Sequence, residues 1–170
     1  MNVADILFLY DYNYWATGRI LAAAAHVSPE QYAHPTQHSF GSLRATLVHT
    51  LDSEYGWRML WQHGTTAGFE ALQEDAFPTF DILEGRWHEE ERAMRGYLAG
   101  LTDDNMADIV RYTTDEGHKR ERVLWHCLVH VVNHGTQHRS EAAATLTDYG
   151  HSPGDLDFTV FLNERGTRTP

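Results

Sequence analysis

Leu124-Trp125-His126-Cys127-Leu128-Val129-His130-Val131-Val132-Asn133-His134-Gly135-Thr136-Gln137-His138-Arg139 superimposes two patterns on one stretch of chain. Leu124, Leu128, Val131 and Val132, with Leu146 further on, recur as one apolar face of a helix. His126, His130, His134 and His138 recur every four residues. A four-residue step turns an α-helix by about 400° and climbs about 6 Å, so successive members stand about 40° apart on one side. The stretch predicts a long helix from about Glu121 to about Asp148, stopped by Gly150 and Pro153.

Three more helices follow from the same period. The first spans about Val3 to Ala25, with Ile6, Leu7, Tyr10, Tyr14, Ile20 and Leu21 in phase, and Pro29 forbids its continuation. A polar loop runs through Pro35 and Gln37. The second helix starts near Ser39 to Ser42, carries Leu43, Leu47, Leu51, Tyr55 and Leu60, and ends at Gly64. The third runs from about Phe80 to about Leu98, with its glutamates on an outer face. Ile109-Val110-Arg111-Tyr112-Thr113-Thr114 is β-branched and aromatic and meets the turn signal Asp115-Glu116-Gly117, which predicts a short hairpin. The expected fold is all-α: an antiparallel four-helix bundle with a short β-hairpin before the last long helix, as one domain over residues 1–170.

Composition narrows the function classes. A net charge of -11 argues against a nucleic-acid partner, since phosphate binding is carried by clustered Lys and Arg. The one dense basic patch is His118-Lys119-Arg120 with Arg122. Cys127 is the only cysteine, so no intrachain disulfide can form and a reducing compartment suits the chain. Asp5 and Asp11 interrupt the apolar residues near the N-terminus, unlike a signal peptide. No apolar run approaches the roughly 20 residues that span a bilayer. A cytoplasmic protein with no membrane partner is expected.

Twelve histidines in 170 residues is a heavy load. Two imidazoles four residues apart on a helix can meet one metal ion, as in the helical H-x-x-x-H of zinc enzymes. Spacing allows His130 with His134 or His134 with His138. A third ligand must come from another helix, and His49, inside Leu47-Val48-His49-Thr50-Leu51, is a candidate. A polar group in such an apolar stripe needs a partner, because leaving it unpaired costs roughly 1–3 kcal/mol. The same residues also fit a solvated stripe with one satisfied core histidine, so spacing leaves both readings open. Di-iron chemistry is excluded, since no Glu-x-x-His pairs occur on two helices. His88-Glu89-Glu90-Glu91-Arg92 has Arg92 where a zinc protease motif needs histidine, and reads as a solvated acidic face.

Six pieces in order resemble the DinB-like (damage-inducible) four-helix-bundle metalloproteins across nearly the whole chain. They are Tyr12-Asn13-Tyr14-Trp15-Ala16 with Arg19-Ile20-Leu21; Ser39-Phe40-Gly41-Ser42; Leu47-Val48-His49 with Trp57; Tyr112-Thr113-Thr114 with Gly117; His130 to Arg139; and Asp155-Leu156-Asp157-Phe158-Thr159-Val160-Phe161-Leu162. The family often has Gly after the His-Arg pair, where this chain has Ser140, a small residue that the position tolerates. The resemblance implies that His49, His134 and His138 bind the metal, with His130 nearby, and that the protein is a homodimer. It also implies kinship with S-transferases that use a low-molecular-weight thiol such as bacillithiol or mycothiol.

Three imidazoles leave one or two coordination positions open, the pattern of catalytic sites. Histidine nitrogens suit several divalent transition metals, with zinc or nickel expected here. The preferred reading is a metal-dependent transferase that activates a small thiol toward a small-molecule substrate. The alternatives are a metal-dependent hydrolase acting through bound hydroxide and a non-catalytic metal-binding bundle. A hydrolase needs a general base, and Asp52 and Glu141, each three residues from a candidate ligand, are in range; each also fits a surface carboxylate or a hydrogen bond to a ligand. Cys127 lies about 10 Å along the helix from His134, too far to share an ion, and reads as a packing residue. Trp15, Trp57 and Trp61 fit either a core or a substrate pocket.

Overall fold

Asn2 opens the first helix with a reciprocal cap: its side chain accepts from the Asp5 amide at 2.9 Å while the Asp5 carboxylate accepts from the Asn2 amide at 3.0 Å. The computed structural model describes residues 1–65, 67–114 and 117–166. Among them are the helices α1 (Val3–Ala24), α2 (Pro29–Ala33), α3 (Leu43–His63), α4 (Phe80–Ala99), α5 (Leu124–Asp148) and α6 (Phe158–Glu164). Two strands, β1 (Ile109–Thr113) and β2 (Lys119–Val123), pair antiparallel from Ile109 opposite Val123 to Thr113 opposite Lys119. Among the described residues the fold is mostly helical with this one small sheet.

The four long helices expected from the period are α1, α3, α4 and α5, with three corrections. Helix α5 begins at Leu124 and not at Glu121, because Glu121, Arg122 and Val123 are committed to the ladder with β1. The Leu124 amide then donates to the Asp108 carbonyl at 2.8 Å, which ties the helix start to the hairpin base. Asp115 and Glu116, expected to form the hairpin turn, lie outside the described residues. The expected polar loop contains α2, where Ser28 and Gln31 cap each other and Pro29 takes the first helical position. That signal was present in Ser28-Pro29-Glu30-Gln31. The C-terminal stretch also forms a helix, α6, which packs Phe158 and Phe161 against Phe8 and Tyr12 of α1.

Helix directions depart from simple alternation. Helix α5 packs on α1 and α3, and α4 packs on α3 and α1. The cross-helix contacts give the sense of each pair. Tyr10 meets Leu128 and Asn13 lies beside Gly135, so α1 and α5 run parallel. Arg58 meets Glu90 and Trp61 meets Tyr97, so α3 and α4 also run parallel. His49 meets His138 and Trp57 meets His130, so α3 and α5 run antiparallel. Residues 64–79 supply the physical reason: at about 3.3 Å per residue they can span the roughly 30 Å length of α3 and start α4 from the same end.

Among the described residues the core has two apolar clusters. One gathers Ile20, Leu21, Leu43, Leu47, Leu51, Leu83, Trp87 and Leu146. The other gathers Ile6, Tyr10, Met94, Leu98, Leu128 and Val131. Where each long helix passes from one cluster to the other it contributes buried polar side chains: Asn13 and Thr17, Glu54 and Arg58, Glu90, and His138 and Arg139. Tyr14 Oη and Asn13 Nδ2 donate to the Glu54 carboxylate. Arg139 donates to Asn13 Oδ1 at 2.5 Å and to Thr136 Oγ1 at 3.0 Å. Gly135 makes room for that guanidinium, since a Cβ there would stand 2.6 Å from Arg139 Nη1. Glu90 corrects the sequence reading. It is not on a solvated face but only 1% exposed, ion-paired with Arg58 and reached by Arg86.

Candidate metal centre

At the level of this polar layer, α3 and α5 face each other through their histidines. His134 Nε2 lies 3.2 Å from His49 Nε2 and 3.1 Å from His138 Nε2. One ring nitrogen from each of His49, His134 and His138 falls within 4.8 Å of the other two, so the cluster could hold a metal ion. Ligand bonds of about 2.0–2.1 Å at tetrahedral angles place nitrogens roughly 3.3 Å apart. The donor chemistry also fits. His138 Nδ1 lies 3.0 Å from Glu141 Oε2, and a carboxylate can only accept, so Nδ1 carries the proton and Nε2 presents a lone pair. One proton on His134 Nε2 could satisfy only one neighbour at a time, whereas a cation satisfies all three lone pairs.

The surroundings hold these rings in place. Phe40 stacks on the His49 ring at 3.9 Å between centroids and 19° between planes, and turns its edge to His138 at 5.1 Å. Ser39 Oγ donates to Glu141 Oε1 at 2.8 Å, so the loop before α3 is tied to the carboxylate that orients His138. Ser39-Phe40-Gly41-Ser42 was conspicuous in the sequence, but nothing in it assigned these two residues a place around the histidines. His130 stands one turn away, its ring 5.8 Å from that of His134 and 5.4 Å from that of Trp57, outside the convergent set.

The remaining sequence candidates separate cleanly. Asp52 accepts from the Leu72 amide at 2.6 Å and thereby anchors the α3–α4 connection. Glu141 is engaged by His138 and Ser39. Trp15 packs on Phe161 and donates to Glu164, remote from the histidines. Trp57 does line a cavity, together with Tyr112, Arg122, His126, Cys127 and His130. Burial pushes the Cys127 thiol up to about 11 despite the nearby Arg122 guanidinium, so it is protonated at neutral pH.

Electrostatics favour neutral imidazoles at His134 and His49. Desolvation, then the neighbouring His138, His49 and His130, hold His134 down at about 4. Desolvation and His138 also lower His49. Burial raises Glu141, but the hydrogen bonds from His138 and Ser39 outweigh it and leave the carboxyl below its ordinary value. In the polar layer the opposite holds, because burial lifts Glu54 to about 7 against the donors Tyr14 and Asn13. The folded state therefore binds the Glu54 proton more tightly than the unfolded state, whose ordinary value is 4.5. That contribution is full below about pH 4.5 and is lost as pH rises through about 7. His134 acts in the other direction, its contribution being lost as pH falls towards about 4. The expected result is thus a difference. The stability of the native protein relative to Glu54→Gln should fall by on the order of 1–3 kcal/mol between those limits. Urea unfolding of both proteins across pH reads it, and a flat difference would show that Glu54 ionises normally.

The sequence model described as the DinB family matches residues 1–169. The chain belongs to the DinB family. It is also similar to Protein DinB of Bacillus subtilis (strain 168), at 26% identity over 164 residues, covering 94% of this chain and 95% of that one. The DinB match thus takes in α1 to α6 and every histidine of the cluster. Among the described residues no helix of this DinB chain is long and apolar enough to cross a membrane.

Proposed function

We propose that this DinB-family chain binds one divalent transition metal ion, zinc or nickel, through His49, His134 and His138, and uses it as a transferase that activates a low-molecular-weight thiol. The observation that carries the reading is the convergence of three imidazole nitrogens whose lone pairs no arrangement of protons satisfies together. An ion held there would supply the positive charge that lets a thiol lose its proton near neutral pH. His134 and His49 are kept neutral by desolvation and so are ready to donate. Glu141 fixes the His138 ring, and Phe40 stacks on the His49 ring. The hydrolase reading is weaker because both carboxylates in range are committed elsewhere, Asp52 to the Leu72 amide and Glu141 to His138 and Ser39. The pairwise packing of α1, α3, α4 and α5 supports a four-helix bundle with an up-down-down-up order, forming one domain over residues 1–170. The proposal places it in the cytoplasm, where its lone thiol Cys127 suits a reducing compartment, and makes it a homodimer, as the family resemblance implies.

Elemental analysis of protein purified without an affinity tag, followed by cobalt(II) substitution and titration with 2-mercaptoethanol, tests this. One ion per chain and a new thiolate-to-cobalt absorption band in the near ultraviolet are expected. Metal without a response to thiol would overturn the transferase reading and leave the hydrolase and non-catalytic ones. Protein that neither contains nor takes up metal would overturn both.

A further inference from the structure

The cavity beside the histidine cluster has walls of a particular chemistry. Its volume is about 420 Å³, within the range that small-molecule sites occupy, and Trp57, Tyr112, Arg122, His126, Cys127 and His130 line it. Strand register explains how the hairpin reaches it. Val110 opposes Arg122 and Tyr112 opposes Arg120, so these four side chains share one face of the two-stranded sheet. Tyr112 on that face meets Trp57 edge-to-face at 5.3 Å. His130 meets Trp57 at 5.4 Å and stands 5.8 Å from the His134 ring, so the cavity and the cluster share His130 as a common wall.

None of the six lining side chains is acidic, in a protein whose net charge is -11. Arg122 is the only full cation among the six, and among the described residues no carboxylate lies within ion-pair distance of it. Glu121, its neighbour in sequence, pairs instead with Arg111 at 2.8 Å. An unneutralised guanidinium at the rim, two aromatic walls and two imidazoles suit a flat ring carrying a negative charge. Arg grips carboxylates through paired donors, and the indole and phenol faces supply contact area for a planar group.

We propose that this cavity is the substrate chamber of the protein and that it takes an aromatic carboxylate, with the ring against Trp57 and Tyr112 and the carboxylate on Arg122. Its catalytic meaning rests on the metal reading above, but binding to the chamber does not. The arrangement sets the ring beside His130, one helical turn from the cluster, and keeps the anion on the hairpin side.

Benzoate and benzamide, equal in shape and different in charge, are the probes, with binding read by isothermal titration to the full chain in metal-loaded and metal-free form. Benzoate should bind both forms, and benzamide should bind about tenfold more weakly or worse, as the loss of a charge-assisted contact implies. Arg122→Gln should erase this preference without changing metal content, and its exposed position makes folding insensitive to the change. Trp57→Leu should weaken both ligands. A preference that persists in Arg122→Gln, or benzoate binding confined to the metal-loaded form, would place the carboxylate on the ion and overturn the assignment. Absence of benzoate binding in protein that holds metal would overturn the chamber alone. A benzoate preference in protein that takes up no metal would support the chamber while overturning the metal reading.

Discussion

His134→Ala is expected to abolish stoichiometric metal binding while leaving helical content unchanged. His134 is the hub of the cluster, since its Nε2 approaches both His49 Nε2 at 3.2 Å and His138 Nε2 at 3.1 Å. Its loss leaves two imidazoles on separate helices with no nitrogen between them. The same variant separates metal coupling from simple packing. An ion that binds only the folded state stabilises it by about 2.7 kcal/mol at a hundredfold excess over the dissociation constant. A chelator should therefore lower the thermal midpoint of the native protein and leave that of His134→Ala unmoved. His138→Ala should lose the ion as well, whereas His130→Ala should keep it with at most about a 10–100-fold loss of affinity, the usual effect of a group that supports a ligand. Metal per chain after dialysis, measured for the three variants at one pH, decides this. If His130→Ala loses the ion and His138→Ala retains it, the site sits one helical turn nearer the start of α5.

Glu90→Ala is expected to cost about 3–5 kcal/mol of stability. The Glu90 side chain is fully buried and faces two guanidinium groups, Arg58 with a contact at each carboxylate oxygen and Arg86 at 3.3 Å. Removing the carboxylate leaves Arg58, only 9% exposed, charged and without its main partner between α3 and α4. For a chain of this length, each kcal/mol moves the midpoint by about 2–4 °C, so a fall of roughly 6–20 °C is expected. The double variant Glu90→Leu with Arg58→Met should recover much of the loss, because apolar side chains of similar volume replace a buried pair without its desolvation penalty. A loss under about 1 kcal/mol in Glu90→Ala would show that water reaches the pair and screens it.

Much of this protein was legible in its residues because the relevant information is local. Helical period, caps and the Gly64 stop placed α1, α3, α4 and α5 to within a few residues. The four-residue histidine spacing put His134 and His138 on one side of α5, since a single helix determines that relation by itself. Family resemblance, not spacing, chose His49 and preferred His138 over His130. What the residues could not supply was anything that depends on two elements meeting. Glu89, Glu90 and Glu91 read alike in sequence, yet only Glu90 turns toward Arg58, a fact set by the parallel packing of α3 and α4. That packing in turn depends on residues 64–79 being long enough to carry the chain back, which period alone does not reveal. Glu121 to Val123 are compatible with helix, and only pairing with Ile109 to Arg111 makes them a strand. Asp52 and Glu141 stood equally near candidate ligands in sequence, but the chain's path gives one to the Leu72 amide and the other to His138. The sequence by itself determined which side chains could bind a metal and where the helices run. The tertiary structure decided which of those side chains meet, because burial, helix direction and the competition for hydrogen-bond partners act between segments that are far apart along the chain.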